Sequence, residues 1–191
     1  MHPLLMPSYL LFIVFHTDSY IQLATPQKLQ TVIHALVFVT TFLIPSFCAY
    51  LMLRFGLIKS LSMETKEERR APFLITGILY FFTFYLLRQV HIPSLIYLLF
   101  LGATMALLIT MLINLNWKIS AHMVGIGGVI GALIGISMRL FIDYRLLLLS
   151  LLVLAGIIGT SRMLMKAHEP AQIYIGFGVG ILSQLTLFLL I

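Results

Sequence analysis

The sequence predicts an all-α membrane protein, a polytopic helical bundle of six or seven transmembrane helices in a single domain spanning 1–191. Three observations predict it. Of the 191 residues, 61% are hydrophobic and only 9% charged, and the mean hydropathy is +1.08, far above a soluble domain. The apolar residues fall into stretches near the roughly 20 residues a spanning helix needs. No run alternates apolar and polar residues as the strands of a membrane β-barrel do.

Seven stretches qualify: 5–16, 32–53, 72–88, 93–115, 119–138, 145–160 and 172–191. The first, "LMPSYLLFIVFH", is short and contains Pro7, so it reads as a short, tilted or half-inserted helix. It has no basic leader of the kind a cleaved signal peptide carries, and is expected to stay in the mature chain. The other six are long enough, or nearly so. Loops are expected at 17–31 and 54–71, with short turns elsewhere. In the fifth stretch Gly127, Gly131 and Gly135 recur every four residues on one helix face, a stripe that lets membrane helices pack closely. In the last, Gln172, Gly176 and Gly180 share a face with His168 if the helix begins that early. Cys48 is the only cysteine, so no intrachain disulfide forms.

The polar residues concentrate in three groups: "KEERRAP" (66–72), "WKISAHM" (117–123) and "TSRMLMKAH" (160–168). Two apolar stretches separate each group from the next, and two crossings return a chain to the side it left. All three groups are therefore expected at one end of the bundle, forming a single site. Their inventory is Lys66, Arg69, Arg70, Lys118, Ser120, His122, Arg162 and His168. Cations and hydroxyls suit a multiply charged anion such as phosphate. Two histidines add a nucleophile and a proton donor. Without a cysteine cluster or a set of carboxylates, metal-free phosphoryl chemistry is the expectation, with no cofactor. The net charge of +6 is spread over loops and is read as topology or anion binding, not nucleic-acid binding.

The third group resembles the last motif of the type 2 phosphatidic acid phosphatase superfamily, SRxxxxxHxxxD, through Ser161, Arg162, His168 and then Gln172. The second is similar to a worn PSGH, as Ile119, Ser120, Ala121 and His122. The first is a loose counterpart of KxxxxxxRP, with Lys66, Arg69 or Arg70, and Pro72. The resemblance covers about 66–180 and implies a phosphohistidine mechanism on a membrane lipid phosphate or diphosphate. His168 would attack phosphorus, and His122 would protonate the leaving oxygen and then activate water. Lys66, Arg70, Ser120 and Arg162 would hold the phosphoryl oxygens, with Arg69, Lys118 and Gln172 in support. The family's aspartate is Gln172 here, and an amide can accept a ring N–H but cannot offset an imidazolium charge.

Plainer accounts exist for each residue. Lys66, Arg69 and Arg70 with their neighbouring glutamates fit a solvated face, Lys118 after Trp117 an interfacial anchor, and Ser120 a helix N-cap. A catalytically weak lipid-phosphate-binding or transporter-like membrane protein is therefore the rival reading, and a structural membrane partner with merely interfacial polar loops the third. Topology signals conflict. The site end holds Arg54, Lys59, Lys66, Arg69, Arg70, Lys118, Arg162 and Lys166, against Arg88, Arg139 and Arg145 at the other, joined by Lys28 if the first stretch spans. That asymmetry favours a cytoplasmic site. Setting aside the four plausible ligands Lys66, Arg70, Lys118 and Arg162 removes the bias, and the resemblance implies the extracytoplasmic face of a bacterial inner membrane. Arg139, Asp143 and Arg145 are expected only to flank helices, with Asp143 paired to one arginine.

Overall fold

The computed structural model describes residues 2–17, 20–63 and 65–190. A 3-10 turn, Pro3–Leu5, leads into α1 (Met6–Phe15). Six longer helices follow: α2 (Gln27–Arg54), α3 (Lys66–Arg88), α4 (Ser94–Asn116), α5 (Ala121–Leu140), α6 (Arg145–Leu164) and α7 (Pro170–Leu190). All six are long and apolar enough to cross a membrane, and no strand occurs among the described residues. The chain is an integral membrane protein of all-α class. Large apolar side chains such as Phe47, Phe81, Leu112, Leu149 and Leu182 are exposed on the outer helix faces, as a lipid environment requires.

Two helix starts differ from expectation. Helix α2 begins five residues early, at Gln27, and absorbs part of the 17–31 connection; residues 18 and 19 of that loop lie outside the described residues. Within α2, Val39–Leu43 winds as a π-helical turn ahead of Pro45, which has no N–H to continue the ladder. Helix α3 begins at Lys66, so the "KEERR" group is helical rather than part of a 54–71 loop. Its start is built by Thr65, whose hydroxyl accepts the Glu68 N–H at 3.4 Å, with Glu67 and Glu68 complementing the positive helix end.

Helix α5 is the centre of the bundle: 61% of its apolar window is buried, against 22–39% for the other five. Its neighbour α7 runs parallel to it in almost direct backbone contact. A Cβ at Gly127 would meet the Phe177 carbonyl, one at Gly131 the Ile181 carbonyl, and one at Gly180 the Val124 carbonyl. The glycine stripes of the two helices thus face each other, and packing accounts for them fully. The consequence is positional: both helices begin at the same end, with Ser120 N–H donating to the Gln172 carbonyl at 3.3 Å.

Helix α1 is too short to span by the usual measure, at roughly 1.5 Å per residue. Its two ends nevertheless lie at opposite ends of α5. His2 is within electrostatic reach of His122, and Thr17 lies beside the Tyr144 hydroxyl. Asp143 pairs with Arg145 at 2.6 Å on the solvated surface, and Arg139 Nε donates to the Phe188 carbonyl, capping the end of α7. Those residues flank helices, as expected.

Candidate functional site

The three polar groups meet at one end of the bundle. Arg69 reaches from α3 to donate through Nη1 to the Ile119 carbonyl at 3.2 Å and through Nε to the Met63 carbonyl at 2.7 Å. Ile119 and Ser120 in turn join the start of α7 through the Ser120–Gln172 backbone bond. His168 lies within electrostatic reach of Arg69, Lys118 and Arg162, and His122 within reach of Arg162 and His168. Sequence-distant groups thus converge, as the even crossing count requires.

The segment 161–170 owes its shape to a helix stop. Ala167 N–H bonds to the Arg162 carbonyl at 3.0 Å and Lys166 N–H to the Met163 carbonyl at 2.9 Å, a Schellman pair that ends α6. Lys166 takes the left-handed position, with φ of 51°, where glycine is usual. Pro170 then opens α7 as its first residue. His168 sits between stop and start, buried to 9% exposure.

Gln172 holds His168. Its Oε1 lies 2.9 Å from His168 Nδ1 and 3.3 Å from the Glu169 backbone N–H. The Glu169 N–H can only donate, so the atom facing it is the amide oxygen, and His168 Nδ1 must carry the proton. Neutral His168 therefore keeps its lone pair on Nε2. Burial is the largest influence on the ring and pushes its pKa down to about 4; the Gln172 bond opposes that, and Arg69, Lys118 and Arg162 reinforce it. Gln172 also reaches back from the third helical position to the N-cap N–H, half of a capping box.

Two buried polar atoms near His168 lack partners among the described residues: Arg162 Nε and Ser120 Oγ. Ser120 is wholly buried and makes no side-chain cap for α5. An orphaned guanidinium N–H and an orphaned hydroxyl suit an oxyanion acceptor.

Comparison with protein-family models, characterised proteins and solved structures returns no significant match.

Other expected site residues fall elsewhere. Lys66 Nζ donates to the Asn116 carbonyl at 3.3 Å, and Arg70 Nη2 approaches the Leu115 carbonyl at 3.4 Å, so both cap the end of α4. Arg70 is exposed, whereas Arg69, expected only in support, is the buried cation that reaches the cluster. The reason is the helical start of α3: adjacent residues on a helix diverge by about 100°, so one arginine turns in and the other out. The capping signature Thr65-x-x-Glu68 was the available signal, since it places 69 and 70 inside a helix. The histidines do not share one pocket either. An open cleft at His168 is lined by Lys118, Lys166, Glu169 and Gln172, and by neither His122, Ser120 nor Arg162. Close packing of α5 on α7 closes the space between Ser120 and Gly176, where an added Cβ would lie 2.9 Å from the Ser120 carbonyl.

Proposed function

We propose that this protein binds the phosphoryl head of a membrane lipid phosphate or diphosphate at the cluster around His168 and hydrolyses it through a phosphohistidine intermediate. The observation that carries the reading is the His168–Gln172 pair, which leaves a neutral imidazole with its Nε2 lone pair beside a set of cations. In the first step Nε2 forms a bond to phosphorus as the bond to the lipid oxygen breaks, and a proton must reach that oxygen. The likeness of Ile119–His122 to the PSGH motif makes His122 the proposed donor. In the second step water attacks the phosphohistidine, releasing inorganic phosphate and restoring His168. Lys118, which lines the cleft, would hold the phosphoryl oxygens, with Arg69 and Arg162 within electrostatic reach of His168 adding positive charge, whereas the wholly buried Ser120 lies outside the cleft. The resemblance to the type 2 phosphatidic acid phosphatase superfamily supports the same roles. It also supports an extracytoplasmic site in a bacterial inner membrane.

The second reading, a binder of lipid phosphates with little or no turnover, is favoured by one observation: His122 does not line the cleft at His168. Phosphate release from phosphatidate, phosphatidylglycerol phosphate and undecaprenyl diphosphate, with vanadate binding in parallel, separates the two. Arg69→Ala and Arg162→Ala are expected to weaken vanadate binding roughly 10- to 100-fold, the scale of a lost charged hydrogen bond. Arg70→Ala should leave it unchanged. His168→Ala is expected to abolish release and spare much of the binding. Gln172→Glu, which keeps the reach of the side chain and adds charge to stabilise the imidazolium, should raise the rate. Vanadate binding with no release of phosphate from any of these lipids would sink the hydrolase and leave the binder.

A further inference from the structure

A second cavity lies along the bundle; its lining reaches Ala121, between Ser120 and His122, but includes no charged residue and no histidine. Its volume is about 120 Å³, whereas one water-sized group needs only roughly 10–15 Å³. It is partly open and is lined by the N-terminal segment from Pro3 to Leu11 together with α3, α4, α5 and Gln184 of α7; its wall is mainly apolar, with Leu10, Phe100, Ala106 and Val124 representative. Leu99 and Thr110 both line it, so it extends about 16 Å along α4 at 1.5 Å per residue.

Two residues on this wall each carry a buried polar atom with no partner among the described residues: Gln184 through Oε1 and Thr110 through Oγ1. Gln184 is 3% exposed and Thr110 1%. Gln184 is held in place, its Nε2 donating to the Leu99 carbonyl at 3.0 Å. Gly102 makes room for it, since a Cβ there would lie 2.5 Å from Oε1. Thr110 is unusual in its own helix, where Thr104 donates to the carbonyl four residues back, as Thr76 and Thr83 do in α3. An unpaired amide oxygen in a membrane interior costs several kcal/mol by the usual measure. A plain hydrocarbon chain would fill the cavity and leave that oxygen unpaired. A single water cannot bridge the two atoms, because the Leu99–Gly102 turn that holds Gln184 lies about 12 Å or more along α4 from Thr110.

We infer that this cavity is a binding site for an apolar chain carrying a hydroxyl group, which donates its hydrogen to Gln184 Oε1. The N-terminal segment forms the removable wall: it is the shortest apolar helix, and Pro3 and Pro7 limit its own hydrogen bonding. The inference does not rest on the phosphoryl reading: although the cavity reaches Ala121, it is argued from Gln184 and uses no side chain assigned to that chemistry.

The test uses the intact protein in bilayers and two photoreactive probes, a diazirine-bearing hexadecanol and the matching diazirine-bearing hexadecane. Crosslinks are mapped to the cavity wall by mass spectrometry. The alcohol is expected to label the wall about 5- to 10-fold more than the alkane, the scale of one hydrogen bond. In Gln184→Leu the two probes should label equally, with alkane labelling retained as evidence that the cavity still exists. Equal labelling in the wild-type protein, which a lipid-tail slot would give, overturns the inference without any variant. An alcohol preference that survives Gln184→Leu overturns it as well. The same experiment on His168→Ala should give the wild-type result, so its outcome is separate from that of the phosphatase assay.

Discussion

At the scale of single residues, His168 is the group whose environment has changed most. A histidine with an ordinary value of 6.5 is held at about 4, first by burial and then by Arg69, Lys118 and Arg162 around it. Between those two values an unfolded chain binds a proton at this position and the folded chain does not. Stability therefore rises with pH across that window and is lost as pH falls from 6.5 toward 4. Thermal melts in that range are expected to show the loss in the wild-type protein and a smaller one in His168→Gln. Equal slopes would mean that the ring titrates normally in the folded state. For catalysis the same shift is favourable, since it leaves the imidazole neutral, as a nucleophile must be, at any pH near neutrality. Gln172 fits this setting. Its oxygen fixes the ring's proton on Nδ1 while serving as the cap of α7, a double role that one sequence position does not announce.

At the scale of elements, two devices position the site. The first is the stop of α6, where Lys166 occupies a left-handed conformation. A side chain there costs about 1–2 kcal/mol relative to glycine. Lys166→Gly is therefore expected to raise the melting temperature by a few degrees. A fall would show that the lysine side chain contributes more than its strain removes. The second device is the contact of α5 with α7. Gly180 faces the Val124 carbonyl and the Gly128 backbone, so Gly180→Leu must push the helices apart. Separating them also separates Ser120 from Gln172, so this variant should lose both thermal stability and vanadate binding. Gly178→Leu meets nothing within 4 Å and should retain both. Equal behaviour of the two variants would show that the packing does not support the site.

At the scale of the molecule, six spanning helices and one short apolar helix set which loops share a side. With the segment around α1 running from His2 near His122 to Thr17 near Tyr144, His2 is placed with the polar cluster. The single Cys48 makes this easy to test. In a Cys48→Ser background, His2→Cys and Lys59→Cys should react with an impermeant thiol reagent from one side of the membrane, and Val90→Cys from the other. Labelling of His2→Cys together with Val90→Cys would mean that α1 does not cross.

The sequence by itself determined the class and the arrangement of groups. Apolar stretches of spanning length leave the chain few alternatives in lipid, where each backbone polar group must be satisfied within its own helix. Counting crossings then gathers Lys66–Pro72, Trp117–Met123 and Thr160–His168 at one end, and the spacing of Gly127, Gly131 and Gly135 already marks a face for close packing. Only the tertiary structure decided which side chains turn inward. Arg69 and Arg70 are equivalent in composition, and a capped helix start sends one to the Ile119 carbonyl and the other to the surface. Ser120 and His122 are two positions apart on one motif, yet the contact of α5 with α7 buries the first completely and leaves the second outside the His168 cleft. The orphaned oxygen of Gln184 could not be read from sequence at all, because its exposure depends on what α4 places opposite it. Periodicity and length are local properties that the chain carries along its own axis, whereas burial and hydrogen-bond partnership belong to pairs of helices and exist only after they pack.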